Sequence, residues 1–469
     1  SIMELNISTQ NNLNLVPKKA EESKGTLLGV LDSCVTSIGS RELKKIIKNP
    51  FLDIEKIKER QFYVDYFFND VLLRENVREK LKDIYDIERI AGKIIYGTEN
   101  GKDLLSLKDS IRKSLETYKL LKEHQELKKI FELDIEILLD IYNKIELIID
   151  VEAPFSVREG GIIKDGYNSE LDELRRISKL GKDFILEIEQ RERERTGIKG
   201  LKIKYNKVFG YFIEVTKANE HLVPEDYIRK QTLVNSERYI VPDLKEYEEK
   251  VITAKSKIEA LEYDLFKSLS SEIKEHIESL YKLANRIANL DIVSNFAHIA
   301  TKNSYVKPEI SEDNILEIKG GRHPIVESLI ASGSYVKNDI ILDEKNNLII
   351  LTGPNMSGKS TYMKQVALNI IMAHIGSYVA ADYAKIPIVD KIFTRVGASD
   401  DLLTGQSTFM LEMTEVASIL NNATEKSFIV LDEIGRGTST YDGISIATAI
   451  TEYIHNNIGA KTIFANQYH

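Results

Sequence analysis

The stretch Asn346–Thr361, NNLIILTGPNMSGKST, decides how the fold of this chain is interpreted. Its apolar run Leu348–Leu351 predicts a buried β-strand, and a helix is predicted to begin near Lys359. The loop between them matches the pattern G-x-x-x-x-G-K-[ST] at every fixed position. Backbone amides of such a loop can curl around a phosphate, and the positive end of the helix adds to the attraction. The stretch therefore predicts a nucleotide phosphate site.

The residue types in this loop suit ATP and Mg²⁺ as cofactors. Gly353 and Gly358 keep Cβ atoms away from the phosphates. Lys359 supplies a positive charge for the β- and γ-phosphates, and Ser360 supplies a hydroxyl for Mg²⁺. The predicted nucleotide-binding residues of the loop are Gly353, Pro354, Asn355, Met356, Ser357, Gly358, Lys359, Ser360 and Thr361.

A second apolar run, SFIVLDE at Ser427–Glu433, ends in two acids. A strand over these residues carries Asp432 to its edge, where the carboxylate can hold Mg²⁺ or its waters. Glu433 is then positioned to orient or deprotonate the attacking water. A further strand at Thr462–Ala465 follows a helix at 443–456, and this β-α-β order predicts a parallel sheet.

A third segment offers another phosphate contact. Gln406-Ser407-Thr408 lies where a helix is predicted to begin, with backbone amides and a serine hydroxyl available. Because one site rarely needs two such contacts from a single chain, we expect Ser407 to complete the nucleotide site of a second subunit.

The composition limits the class of protein. Two to four domains are expected in about this length of chain, 469 residues. The single cysteine, Cys34, excludes an internal disulfide and fits a reducing compartment. No apolar run reaches membrane-spanning length, so we expect a cytoplasmic protein without a membrane partner. A net charge of −9 argues against a general nucleic-acid binder, so charge must be examined locally.

Two helical segments flank residues 197–241. A charged helix over 168–196 ends at Gly197, and a long helical pattern begins after Pro242. Apolar residues of the second segment alternate spacings of three and four, as in the seam of a coiled coil. Because neither Gly nor Pro follows before Pro308, the sequence predicts one continuous helix of about 80 Å. The two helices would form an antiparallel arm with residues 197–241 at its tip.

The tip itself has the pattern of a small β-structure. KIKYNKVFGYFIEVTK, residues 202–217, alternates and is rich in β-formers, which predicts a hairpin. Between Gly197 and Lys217 five lysines stand against one acid, a local charge of +4. Such a surface suits the phosphate backbone of DNA, but a solvated strand face explains the charge equally well. The candidate DNA-binding residues are Lys199, Lys202, Lys204 and Lys207.

Four motifs together resemble the ATPase domain of MutS mismatch-repair proteins, which belong to the ABC class of dimerising ATPases. They are GPNMSGKSTYMKQ, TRVGASDDLLTGQSTFMLEMTE, LDEIGRGTSTYDG and RHPIVE. The resemblance extends through GTLLGVLD, NPFLDIEKIKER and GYFIEVTKAN to cover about residues 5–469. It implies a mainly α-helical core with long lever helices and a small β clamp, followed by an α/β P-loop ATPase domain of ABC type with a parallel sheet. The implied segments are the core (1–167), first lever arm (168–196), DNA clamp (197–241), second lever arm (242–307) and ATPase domain (308–469).

The resemblance also implies roles for single residues. Lys359, Ser360 and Thr361 fall on the family's phosphate loop, where the lysine takes part in catalysis. Asp432 falls on the metal-binding acid, beside Ser360, and Glu433 falls on the catalytic glutamate.

Two further residues and the partners come from the same resemblance. Ser407 falls on a serine offered in trans to ATP in the partner subunit, and Tyr335 falls on an aromatic position that stacks on adenine. The implied partners are double-stranded DNA, a second copy of the chain in a homodimer and a MutL-type repair protein. The implied location is the bacterial cytosol, in association with the nucleoid.

The chain departs from the family pattern in three places. Full-length repair members carry a mismatch-reading domain and a connector before the core, and they continue past FANQYH into a helical dimerisation region. Gln467 stands where members usually have a histidine that senses the γ-phosphate. We therefore expect slow turnover; a fragment, an engineered chain and a natural short paralogue all stay open.

The leading hypothesis is a sliding-clamp-type protein of DNA mismatch repair that hydrolyses ATP at composite dimer sites to switch its DNA-bound state. The alternative is a DNA-binding scaffold, or a MutS paralogue acting in recombination, with little ATP turnover. A general ABC ATPase of the chromosome-organising kind is disfavoured, because such proteins place a long coiled coil inside the ATPase.

Overall fold

The computed structural model describes residues 1–19, 23–354, 358–396 and 408–466. The chain divides into two units. Unit 1 contains Ser1–Asp86, Lys113–Leu133 and Lys282–His469, and unit 2 contains Ile87–Arg112 and Asp134–Tyr281. The finer division of the sequence into core, lever arms, clamp and ATPase stays a prediction.

The described part of the chain is mainly helical with three four-stranded sheets, one of them parallel, which confirms the coarse fold prediction. Within these ranges, none of the helices combines the length and apolar character needed to cross a membrane. The α-helices are α1 (Ile7–Asn12), α2 (Leu27–Leu31), α3 (Ser37–Lys48), α4 (Ile54–Asn69), α5 (Val71–Leu81), α6 (Ile87–Tyr96), α7 (Gly101–Lys122), α8 (Ile135–Ile148), α9 (Ser169–Thr196), α10 (Pro242–Lys274), α11 (Ile277–Asn303), α12 (Pro324–Leu329), α13 (Lys359–His374), α14 (Thr408–Asn422) and α15 (Thr440–Tyr453). The β-strands are β1 (Lys202–Asn206), β2 (Gly210–Thr216), β3 (Ile228–Thr232), β4 (Ser236–Ile240), β5 (Glu309–Ser311), β6 (Leu316–Gly321), β7 (Asn338–Leu342), β8 (Leu348–Thr352), β9 (Tyr383–Pro387), β10 (Ile392–Arg395), β11 (Phe428–Asp432) and β12 (Lys461–Asn466).

The parallel sheet of unit 1 has the strand order β10-β11-β12-β8. Its register places Asp432 beside Ala465, and Ala465 beside Leu351. Residues Phe428–Leu431 are all buried, as expected for a parallel strand covered on both faces. Because parallel strands run in one direction, the carboxyl ends of β8, β12 and β11 meet at one edge of the sheet.

A mixed sheet in the same unit has the order β5-β9-β6-β7. Strand β7 pairs antiparallel with β6, and a register shift separates Ile318 from Gly321. Strand β7 begins at Asn338, three residues after Tyr335.

Helix α13 follows the glycine-rich loop, and it is buried on all sides from Gln365 to His374. Met363, earlier in the same helix, is buried as well. At its end, Nε2 of His374 accepts a hydrogen bond from the Val389 N–H (3.0 Å), and Nδ1 lies 2.9 Å from the Ile370 carbonyl oxygen. Burial lowers the pKa of His374 to about 4. The neutral imidazole therefore connects the end of α13 to Val389, between β9 and β10.

The arm of unit 2 is an antiparallel pair, α9 and α10, in close contact. A Cβ added at Gly181 of α9 would lie 2.4 Å from a methyl carbon of Val251 of α10, so the two backbones approach closely. The predicted continuous helix is wrong, because α10 ends at Lys274 and α11 begins at Ile277. The His276 N–H bonds to the Ile273 carbonyl (2.9 Å), which tightens the last turn to a three-residue repeat.

Residues 197–241, called the clamp from here on, contain an antiparallel sheet of order β1-β2-β4-β3. Strands β1 and β2 form a hairpin at the predicted position. One face of the sheet contributes Ile213, Val215 and Tyr239 to a hydrophobic core with Ile185 of α9 and Val251 of α10. The opposite face contains the buried ring of Phe212 beside charged side chains.

A buried carboxylate of α10 also fastens the hairpin. Glu248 is 6% exposed, and its Oε1 accepts a hydrogen bond from the Tyr211 N–H (2.8 Å). The neighbouring Gly210 has φ +71°, and a Cβ added there would lie 1.2 Å from the same oxygen. Gly210 is therefore required both by its backbone conformation and by the carboxylate against it.

We predict that Gly210→Ala loosens the hairpin while leaving the rest of the chain folded. The methyl group displaces Glu248 and imposes a strained backbone, which costs about 1–3 kcal/mol for the backbone alone. Amide hydrogen exchange of residues 202–216 should accelerate by at least about tenfold. Gly200→Ala is the matched control, since a Cβ there meets nothing within 4 Å. Equal protection of the hairpin in both variants would contradict this account.

Candidate functional site

The glycine-rich loop begins at the carboxyl edge of the parallel sheet. Strand β8 ends at Thr352, and Gly353 follows with φ +140°. Gly358, the residue before α13, has φ +82°, and a Cβ there would meet no described atom within 4 Å. The conformation of the backbone is thus the reason for glycine at this position. The predicted site residues Asn355, Met356 and Ser357 lie outside the described residues.

Lys359 is the first residue of α13 and lies against the loop. Its side chain is 8% exposed, and its Nζ donates a hydrogen bond to the Gly353 carbonyl oxygen (2.8 Å). The ammonium group therefore lies beside the backbone that leaves β8, at the positive end of a buried helix. This is a position from which it can contact a bound phosphate.

A cavity of about 580 Å³ adjoins this lysine. Its volume falls in the range of small-molecule sites in proteins. It brings four of the predicted site residues together, Tyr335, Gly358, Lys359 and Thr361. The other lining residues, which sequence reasoning missed, are Val336, Asn338, Asp339, Leu351, Thr352 and Tyr362.

The ring of Tyr335 is held in place by α13. Its hydroxyl donates to Oε1 of Gln365 (2.6 Å), and Gln365 is 1% exposed. Burial also raises the pKa of Tyr335 above its ordinary value. A second tyrosine, Tyr362, donates to the Asp339 carbonyl oxygen (2.9 Å). The cavity therefore has an aromatic wall attached to the same helix that carries Lys359.

Asp432 ends β11 at the same edge, although β12 lies between its strand and β8. Burial is the main cause that raises the pKa of Asp432, and the neighbouring Glu433 raises it further. Lys359, Lys364 and Arg436 oppose this rise through their positive charges. The structure therefore places the acid of one motif within electrostatic reach of the lysine of the other.

Glu433 adopts an uncommon backbone conformation with φ +56°. Its N–H bonds to the Ala465 carbonyl (3.0 Å), which extends the ladder with β12 by one residue. Its carboxylate pairs with Arg436, with 2.5 Å between Oε2 and Nη1. Arg436 was not predicted from the sequence, although it lies within the quoted LDEIGRGTSTYDG motif.

The donor set at this edge fits Mg²⁺. A carboxylate, Asp432, and a hydroxyl, Ser360, are hard oxygen ligands, and Mg²⁺ bound with a nucleotide needs few from the protein. Among the described residues, no group of three His, Cys, Asp or Glu side chains could hold a metal ion by itself. The residues are thus suited to a metal ion that arrives with a phosphate ligand.

Ser407, the residue expected to act in trans, lies outside the described residues, and so does Gln467. Helix α14 begins at Thr408, so the helix predicted after Ser407 is present.

The candidate DNA-binding lysines differ in their surroundings. Lys204 pairs with Glu214, with 2.6 Å between Nζ and Oε2, and this contact lowers the pKa of Glu214. Lys199, Lys202 and Lys207 are exposed, and no carboxylate of the described ranges lies within ion-pair distance of their ammonium groups.

A further cation of this face was missed by sequence reasoning. Arg238 of β4 lies opposite Glu214 and over the ring of Phe212, at 4.6 Å from its centre. Lys204 lies opposite Phe212 in the same register, so both cations share the outer face.

Comparison with known proteins identifies the family. The model of MutS domain III matches residues 8–297, and that of MutS domain V matches residues 349–469. The chain belongs to the MutS family. The two MutS matches cover both the clamp and the parallel sheet with its glycine-rich loop.

Curated MutS relatives share the whole length of this chain. The DNA mismatch repair protein MutS of Fusobacterium nucleatum subsp. nucleatum is 92% identical over 469 residues, which is all of this chain and 52% of that protein. The proteins of the same name from Acetivibrio thermocellus and Halothermothrix orenii are 50% and 52% identical over all of this chain and 54% and 53% of their own lengths. The chain therefore spans about half the length of these relatives.

Proposed function

We propose that the chain is the ATP-hydrolysing, DNA-contacting part of a DNA mismatch-repair protein. The observation that carries the proposal is the cavity at the sheet edge. Lys359 and Tyr335 line this cavity, and Asp432 lies within electrostatic reach of Lys359. The name shared by the relatives, DNA mismatch repair protein MutS, supports the same function.

In the proposed mechanism the adenine of ATP stacks on Tyr335 and the phosphates enter the loop that precedes α13. Lys359 leaves the Gly353 carbonyl for the β- and γ-phosphates, and the loop amides bind the remaining oxygens. Ser360 and Asp432 would hold Mg²⁺, which supplies charge neutralisation between the phosphates when it is bound.

Glu433 acts on the attacking water in this proposal. Its backbone has a left-handed conformation directly after β11, and its carboxylate leaves the ion pair with Arg436 to reach the water. Glu433 then orients the water and accepts its proton as the water oxygen bonds to the γ-phosphorus, while the bond from this phosphorus to the β–γ bridging oxygen breaks and ADP leaves. Ser407 of a second subunit would complete the site, so the working form is proposed to be a homodimer.

The clamp is proposed to bind double-stranded DNA through its backbone. Lys199, Lys202 and Lys207 would contact phosphates, while Lys204 contributes less because Glu214 already neutralises it. ATP binding and hydrolysis would switch the DNA-bound state, and a MutL-type protein is the proposed downstream partner. A scaffold that binds ATP and DNA with little turnover is the second candidate, supported by the Glu433–Arg436 pair that occupies the catalytic carboxylate.

We predict that Lys359→Ala and Glu433→Gln separate binding from hydrolysis. A charge-assisted contact to phosphate contributes about 1.5–3 kcal/mol, so Lys359→Ala should weaken Mg-ATP binding by at least about tenfold. Glu433→Gln keeps the shape but removes the base, so affinity should stay within about twofold while turnover falls by about 10²-fold or more. Equilibrium binding and single-turnover hydrolysis on the 469-residue chain measure both.

Matched controls for these variants are exposed residues of the same type nearby. Lys345→Ala changes a lysine in the turn before β8, and Glu425→Gln changes a glutamate before β11. Both should behave as the unaltered chain. Undiminished hydrolysis by Glu433→Gln would refute the proposed mechanism, whereas ATP binding without hydrolysis in the unaltered chain would favour the scaffold.

We predict unequal effects of the clamp lysines on DNA binding. Replacing Lys199, Lys202 or Lys207 by Ala should each reduce the slope of log affinity against log salt by about 0.9, because each removes one phosphate contact. Lys204→Ala should change the slope less. Lys257→Ala, an exposed lysine of α10 outside the clamp, is the control. Titrations of a duplex at several salt concentrations measure the slopes, and equal slopes for all five variants would contradict the proposed contact.

A further inference from the structure

A buried carboxylate on α14 contacts the loop that carries the proposed base. Glu412 is 3% exposed, and its Oε1 accepts a hydrogen bond from the Gly435 N–H at 2.5 Å. A buried ionised group needs such a partner, and a bond from an amide to a carboxylate is stronger than one between neutral groups. The carboxylate therefore determines where the backbone of Gly435 lies.

The loop has little room to adjust at this point. Gly435 has φ +90°, and a Cβ there would lie 2.7 Å from the Gly443 carbonyl oxygen of α15. Two residues later, a Cβ on Gly437 would lie 2.8–2.9 Å from atoms of Phe409, in the first turn of α14. Residues 433–437 are thus confined between α14 and the start of α15.

The confined loop starts at Glu433 itself. Glu433 is fixed on one side by the bond from its N–H to Ala465, and two residues later Gly435 is fixed by Glu412. The left-handed conformation of Glu433 lies between these two anchors. Such a conformation persists where the surrounding structure determines it.

We infer that Glu412 is a positioning residue for ATP hydrolysis: its bond to the Gly435 amide holds the loop that aims Glu433 at the attacking water. The inference rests on the proposed function, in which Glu433 is the base. Glu412 itself touches neither nucleotide nor metal in this account. A displacement of about 1 Å in a reacting group can cost about 10²-fold in rate, so a support of this kind affects the chemical step strongly.

The test compares Glu412→Ala, which removes the acceptor, with Glu412→Gln, which keeps an oxygen in the same place. In single-turnover assays Glu412→Ala should lower the hydrolysis rate by at least about tenfold, and Glu412→Gln by less than about threefold. Mg-ATP affinity should stay within about twofold in both, because the cavity and Lys359 are untouched. Amide exchange of residues 433–437 should accelerate by at least about tenfold in Glu412→Ala only.

Glu415→Ala is the matched control on the same helix. Glu415 pairs with Arg395 at 2.9 Å from Nε and has no hydrogen bond to the 433–437 loop among the described contacts. Its removal should leave the hydrolysis rate within about twofold.

Several results would overturn the inference. An unchanged hydrolysis rate in Glu412→Ala would do so. Equal losses of rate in the Ala and Gln variants, or a joint loss of rate and Mg-ATP affinity, would also do so, because they indicate general destabilisation. Glu433→Gln, measured in parallel, separates this inference from the proposed function. If Glu433→Gln is inactive and Glu412→Ala is normal, the inference alone fails; if Glu433→Gln hydrolyses ATP normally, the proposed role of Glu433 fails as well.

Discussion

Parallel pairing of β8, β12 and β11 is the constraint on which the proposed site depends. Because the three strands run in one direction, the loop after Thr352 and the acids after Leu431 emerge at one edge. Strand β12 lies between them and sets their separation. Helix α13 then supplies Lys359 at this edge and, about one and two-thirds turns later, the Gln365 that holds Tyr335. The lysine, the aromatic wall and the acids are therefore parts of one framework.

Buried carboxylates accept hydrogen bonds that hold a loop or strand in both units. In unit 2, Glu248 of α10 fixes the Tyr211 amide, and Glu192 of α9 accepts the Tyr227 hydroxyl at 2.6 Å, so the clamp sheet is bound to both helices of the arm. In unit 1, Glu412 fixes the Gly435 amide. Each bond joins a rigid helix to a loop or strand whose position matters for the proposed function. Loss of any of these acids leaves a buried donor without its partner.

The local features of the fold could be predicted from the sequence, and the long-range contacts could not. The strand before the glycine-rich loop and the strand ending at Asp432 are continuous apolar runs next to strong motifs, so their positions were correct within one residue. The break between Lys274 and Ile277 was missed, because neither Gly nor Pro marks it in the sequence. No sequence motif or periodicity marks Gln365, Arg436 or Glu412 as important. Their importance depends on which backbone or side chain they meet in the folded chain. The roles of Ser407 and of the clamp lysines stay predictions.

Photolabelling with 8-azido-ATP tests the central claim most directly, since the reactive group sits on the adenine that is proposed to stack on Tyr335. After irradiation with Mg²⁺ present and digestion with trypsin, the account predicts label in the peptide His323–Lys337, which contains Tyr335. Unlabelled ATP should abolish this label. Label confined to other peptides, or label in His323–Lys337 that ATP does not displace, would contradict the assignment of this edge as the ATP site.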